Sequence, residues 1–136
     1  NFNRPIGEIL TFEALDSAGN VLDSGTAALG YDNWFAWDTT ALSAASIRVK
    51  GRHWLSSLVA GPDLNSGVFD LQLVLTNGDV DGNNLVDIGD YTLLALAFDA
   101  VPGDANWHEP ADLDGNSVVD IADYTILAAS FDLVGE

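Results

Sequence analysis

Cysteine and methionine are both absent from this 136-residue chain. Without thiols there are no disulfide staples, no thiol nucleophile and no thiolate metal ligand. Histidine occurs only at His53 and His108, and neither belongs to a serine or cysteine nucleophile motif. Basic residues number 4 against 21 acidic ones, a formal charge of −17. Nucleic acid and anionic membranes are poor partners for such a surface. No apolar run approaches the roughly 20 residues of a membrane-crossing helix. No glycine-rich loop of the phosphate-cradling kind is present. The chain opens at Asn1 on a polar segment rather than a secretory leader, so it is expected to be a processed form or a piece of something larger.

What is present is apolar enough to fold. Hydrophobic residues make up 48% and charged residues 18%, which sets the chain apart from disordered sequences. The length allows one domain or two small ones. The strongest internal signal is a repeat. DVDGNNLVDIGDYTLLALAFDAV (Asp79 to Val101) returns as DLDGNSVVDIADYTILAASFDLV (Asp112 to Val134), without a gap and identical at about two-thirds of positions.

Each copy begins with spaced oxygen ligands. Asp79, Asp81, Asn83, Asp87 and Asp90 occupy positions 1, 3, 5, 9 and 12 of a twelve-residue loop. Asp112, Asp114, Asn116, Asp120 and Asp123 repeat them. Position 7, Leu85 or Val118, offers its backbone carbonyl, so an apolar side chain is tolerated there. This pattern suits a hard cation that takes about 6–8 oxygens, and points to two Ca2+ ions. Zinc and copper want His or Cys, which neither loop contains. Two Ca2+ ions would bring the formal charge from −17 to −13. Position 6, commonly a glycine at a sharp turn, is Asn84 or Ser117 here, and Ser suits positive φ less well than Asn.

After each loop the spacing becomes helical. Tyr91, Leu94, Ala95 and Phe98, and then Tyr124, Leu127, Ala128 and Phe131, follow the i, i+3, i+4, i+7 rule. Two tandem calcium loops, each followed but not preceded by a helix, resemble the type I dockerin family over residues 78–134. The resemblance implies a calcium-dependent fold in an extracellular protein and, as one reading, a cohesin-like partner. Cohesin recognition in that family typically uses loop positions 10 and 11. Here these are Ile88 and Gly89, then Ile121 and Ala122, with no Ser-Thr or Lys-Arg pair.

The first 77 residues read differently. Residues 1–5 look like an arm. Strand patterns follow over 6–15, from Val21 to Leu29, over 31–38, over 46–54 and from Phe69 to Leu75, separated by turn residues. About six short strands suggest a small antiparallel β-sandwich. The expected fold is therefore α+β in two parts: an antiparallel β-sandwich over 1–77, and a dockerin-like, EF-hand-like tandem loop–helix pair over 78–136.

Several features admit two readings. Helices with Thr as almost the only polar side chain serve an interface or cover one another. Arg48, Lys50 and Arg52 on one strand face either meet an acidic partner or pair locally. Tyr31, Trp34, Phe35, Trp37 and Trp54 either stack on sugar or fill a core. Trp107 reads as an anchor over the helices, with ligand stacking as the other reading. Catalysis has little support, since two acids flanking a cleft need room that a small sandwich lacks. The preferred expectation is a non-enzymatic, secreted, calcium-stabilised structural or interaction protein that assembles with its own copies or a surface protein into an array or filament. The alternatives are an adaptor binding a cohesin-like receptor and a carbohydrate-binding module.

Overall fold

The computed structural model describes residues 7–30, 34–65 and 72–136. They form two compact units. One is built from Arg52–Leu55 and Thr76–Gly135, and the other from the remaining described residues. The arm at residues 1–5 and the strand expected from Phe69 fall wholly or partly outside the described residues.

The second unit holds a four-stranded antiparallel sheet. Its strands are β1 (Ile9–Leu15), β2 (Val21–Ala28), β3 (Ser46–Lys50) and β4 (Ser57–Ala60), in the order β2-β1-β3-β4. Period-two patterning sets which face is inside. Leu10, Phe12 and Ala14 of β1 and Ile47 and Val49 of β3 are buried, while Ile9 and Thr11 are exposed. Phe12 is the centre of this core. Its ring lies 5.0 Å from Phe35 and 5.3 Å from Trp37, centroid to centroid. Fully burying such a side chain contributes about 1.5–3 kcal/mol. The turn between β1 and β2 is closed by the Asp16 carboxylate, which accepts from the backbone of Ala18 and Asn20 and from the Asn20 amide. The Asn20 amide, foremost, holds the Asp16 carboxyl below its ordinary range.

Helix α1 (Ile88–Leu96), a 3-10 turn (Glu109–Ala111) and helix α2 (Ile121–Ala129) belong to the first unit. Its core is Leu55, Val80, Val86, Leu94, Ala97, Ala111, Leu113, Val119 and Leu127, with Leu93, Trp107 and Ile126 packed against it. Trp107 is thus an anchor of this core. No helix among the described residues is long and apolar enough to cross a membrane.

The expected two-part class, a β-sandwich followed by a tandem EF-hand-like, dockerin-like pair, is corrected. Among the described residues the regular structure is mostly β-sheet, with two short α-helices of nine residues each. The described strands join one sheet rather than two facing layers. Residues 34–38 are aromatic but not a strand; they lie over the sheet as irregular chain because Phe35 and Trp37 are held by Phe12. Residues 72–75 are not a strand either. Strand β3 stops at Lys50, so Arg52 is not on its face. Strand β4 carried no clear sequence signal, since its burial alternates only between intermediate and exposed.

The helical face also differs from the expected one. Leu94 and Leu127 are buried, but Tyr91, Ala95 and Phe98 and their counterparts Tyr124, Ala128 and Phe131 are exposed. The buried stripe runs instead through Asp90, Leu94 and Ala97, and through Asp123, Leu127 and Ser130.

Candidate metal centre

The two acidic loops fold alike because the same side chains tie the same backbone groups. Asp87 and Asp120 are the N-cap residues of α1 and α2, and their carboxylates accept from Gly89 N at 2.6 Å and Ala122 N at 2.7 Å. Asp90 and Asp123, three residues later, reach back to the Asp87 and Asp120 N–H groups, both at 2.8 Å. Each helix start is therefore a reciprocal capping box, with its carboxylates at the positive end of the helix dipole.

The other oxygens of Asp90 and Asp123 reach into the loops. Asp90 accepts from Asp81 N, and Asp123 accepts from Leu113 N and Asp114 N. Asp79 and Asp112 accept from Asn84 N and Ser117 N. These two donors occupy position 6 with φ of 71° and 70°, so Ser117 adopts the same left-handed turn as Asn84. Asn83 and Asn116 accept from the backbone N–H of Leu85 and Val118.

The geometry brings together carboxylates at loop positions 1, 3 and 12. One set is Asp79, Asp81 and Asp90; the other is Asp112, Asp114 and Asp123. Within each set one ligand oxygen per residue lies within 4.8 Å of the others. Asp87 and Asp120, at position 9, serve as caps and are not in these clusters. Leu85 lies in an isolated bridge with Val134, and Val118 is half-buried.

The electrostatics of the clusters suit a cation. Asp79, Asp90, Asp112 and Asp123 are buried. Burial foremost, partly offset by hydrogen bonds from backbone N–H groups, pushes the carboxyls of Asp90, Asp112 and Asp123 above the ordinary range, and neighbouring aspartates push the same way. Among the described residues no Lys or Arg forms an ion pair with Asp112, Asp114 or Asp123. The donor set is all oxygen. Three convergent carboxylates with an Asn beside them in sequence fit a hard divalent ion such as Ca2+, and give a soft metal nothing to hold.

The remaining sequence candidates have local explanations. Arg48 pairs with Glu13 at 2.9 Å and Arg52 pairs with Glu109, so these two basic residues have acidic neighbours of their own. Trp54 is buried, Trp37 stacks on Phe12 and Phe35 packs against it at a tilt, which leaves Trp34 exposed. Tyr31 lies outside the described residues. Sequence reasoning missed Val80 and Leu113 at loop position 2 and Val86 and Val119 at position 8 as core residues. Their equivalence in the two copies was the available signal.

No family model and no curated protein sequence matches the chain. Solved structures do. An N-terminal interface mutant of a type II cohesin–X–dockerin complex from Acetivibrio cellulolyticus is similar at 17% identity, covering 93% of this chain and 82% of that chain with a TM-score of 0.67. A C-terminal interface mutant of the same complex gives 17% identity, the same coverage and a TM-score of 0.68. The likeness spans nearly the whole chain rather than the C-terminal repeats alone, and it is this shared fold, not a sandwich with an appended EF-hand pair, that describes the molecule.

Proposed function

We propose that the chain is a non-catalytic protein-interaction module of an extracellular assembly, and that its two acidic loops each take up a Ca2+ ion. The observation that carries the reading is the duplicated cluster of Asp79, Asp81 and Asp90 and of Asp112, Asp114 and Asp123. Ca2+ would supply the positive charge that the buried carboxylates of Asp79, Asp90, Asp112 and Asp123 require, and would tie loop to helix through Asp90 and Asp123. An extracellular location suits such loops, because weak sites stay filled where calcium is millimolar. The likeness to chains from cohesin–X–dockerin complexes supports the interaction role.

The interaction surface we assign is the exposed apolar side of the two helices. Ile88, Tyr91, Tyr124, Leu127, Ala128 and Phe131 line a groove there, and the Tyr91 and Tyr124 rings meet edge to face at 5.8 Å. Ile88 and Ile121 are each 65% exposed and Leu96 is 68% exposed. Exposed apolar groups gathered in this way mark an interaction site. Two occupants are consistent with it: a partner protein of the cohesin–X–dockerin type, or another copy of the chain within an array.

One experiment separates them. The chain is run by size exclusion with light scattering in millimolar calcium and then in chelator, alone and mixed with a purified type II cohesin or X–dockerin. A calcium-dependent complex with one of these proteins supports the module reading. Calcium-dependent growth of the chain alone supports the array. A monomer that ignores calcium and both proteins would sink the proposal.

A further inference from the structure

We infer that Asn77 couples the two acidic loops, so that filling one raises the cation affinity of the other. The inference rests on the cation reading above and adds a positioning residue to it. Asn77 stands two residues before Asp79, the first ligand of loop 1. Its Nδ2 donates to the carbonyl of Leu113 at 2.7 Å, and Leu113 directly follows Asp112, the first ligand of loop 2. Leu113 N in turn donates to Asp123 Oδ1 at 2.7 Å. One amide therefore joins the approach to loop 1 with the closing ligand of loop 2.

The other side of the same amide is also fixed. Because Nδ2 must face a carbonyl, Oδ1 is the acceptor, and His53 Nδ1–H donates to it at 2.7 Å. His53 is buried at 4% exposure. Its own carbonyl accepts from Gly78 N at 3.0 Å and from Asp79 N at 3.1 Å. The network thus runs from the Asp79 backbone through His53 and Asn77 to Leu113 and Asp123.

Nothing in the repeat requires this link. The residue 33 positions after Asn77 is Pro110, which has no side-chain amide. The link is one-sided and belongs to this chain rather than to the loop motif. A part-buried hydrogen-bonded network of this kind transmits ordering, because leaving the Leu113 carbonyl or the His53 N–H without a partner costs free energy. Coupling between sites is reciprocal, so either loop can be the reporter.

The test is a calorimetric Ca2+ titration of the full chain. Asp81→Asn weakens loop 1 while keeping an oxygen for Asn83 N. With Asn77 present, that change is expected to lower the Ca2+ affinity of loop 2 by about tenfold, within the usual range of coupling energies. In an Asn77→Ala background the same change is expected to shift loop 2 by clearly less than that tenfold, the remainder being carried by the backbone pairs between the repeats, such as Asp99 N to Val119 O and Asp132 N to Val86 O. If Asn77→Ala does not fold, Asn77→Asp keeps the size and removes the donor to Leu113, and reads the same loss. An equal loop 2 shift with and without the Asn77 amide overturns the coupling and leaves the cation reading standing. No heat of Ca2+ binding in the unmodified chain overturns both.

Discussion

Ser117 holds φ of 70°, a conformation that costs a side-chain-bearing residue roughly 1–2 kcal/mol. Its N–H is oriented by that twist onto Asp112 Oδ2 at 2.9 Å. Ser117→Gly removes the Cβ cost but adds about 0.5–1 kcal/mol of backbone entropy to the folding cost. We therefore expect Ser117→Gly to be neutral or to stabilise by up to about 1 kcal/mol in chelator, read by urea denaturation. The raised carboxyls of Asp90, Asp112 and Asp123 give a pH signature. A raised folded-state pKa means that the folded chain holds the proton more tightly than the unfolded chain. Stability from these groups is full below the ordinary carboxylate range of about 3.9, and is lost as pH rises through their raised folded values. In chelator, melting temperature should fall as pH climbs out of the acid range toward neutrality. With Ca2+ the trend should reverse, because the ion displaces those protons. At this scale the spacing named ten side chains as candidate ligands, and six of them, Asp79, Asp81, Asp90, Asp112, Asp114 and Asp123, are carboxylates that converge. It did not show that Asp87 and Asp120 act as caps, because one carboxylate can serve either role at that position.

The two helices were legible as helices but not in the face they bury. Tyr91, Leu94, Ala95 and Phe98 make as good an apolar stripe as any, and hydrophobicity on every side leaves the choice of inner face to the loops. The loops decide it, because Asp90 must point inward to close loop 1, and Leu94 and Ala97 then share its side. Leu94→Ala is accordingly expected to cost about 2–5 kcal/mol and Leu96→Ala less than about 0.5 kcal/mol, measured by chemical denaturation with calcium present. The sheet was legible in β1, β2 and β3, where period-two patterning or turn residues are clear. The aromatic stretch misled because a segment lying over a sheet alternates as a strand does. Gly25 of β2 records that segment: a Cβ there would run into the Trp37 indole. Gly25→Val should lower stability by about 1–3 kcal/mol, with a matching change in Trp emission during thermal melting.

Across the whole molecule, the Ca2+ binding proposed for the two loops would share one free energy with folding. A Ca2+ concentration 100-fold above Kd adds about 2.7 kcal/mol per site. Asp112→Ala should therefore erase much of the calcium-induced rise in melting temperature, whereas the raised baseline of the unmodified chain should disappear only in chelator. A further structural feature acts across the repeats. The chain leaving α1 pairs with loop 2, through Asp99 N to Val119 O at 2.8 Å and Val119 N to Ala100 O at 3.0 Å. The chain leaving α2 pairs with loop 1 in the same way, through Asp132 N to Val86 O at 2.8 Å and Val86 N to Leu133 O at 2.9 Å. Asp99 and Asp132 turn into these straps at φ of 62° and 67°. Neither repeat completes its own loop; each is finished by its neighbour. A half-molecule carrying one repeat is a lock whose key lies on its twin, and two such halves hold what each other lacks. The duplication thus does within one chain what a pair of identical short chains would otherwise have to meet to do.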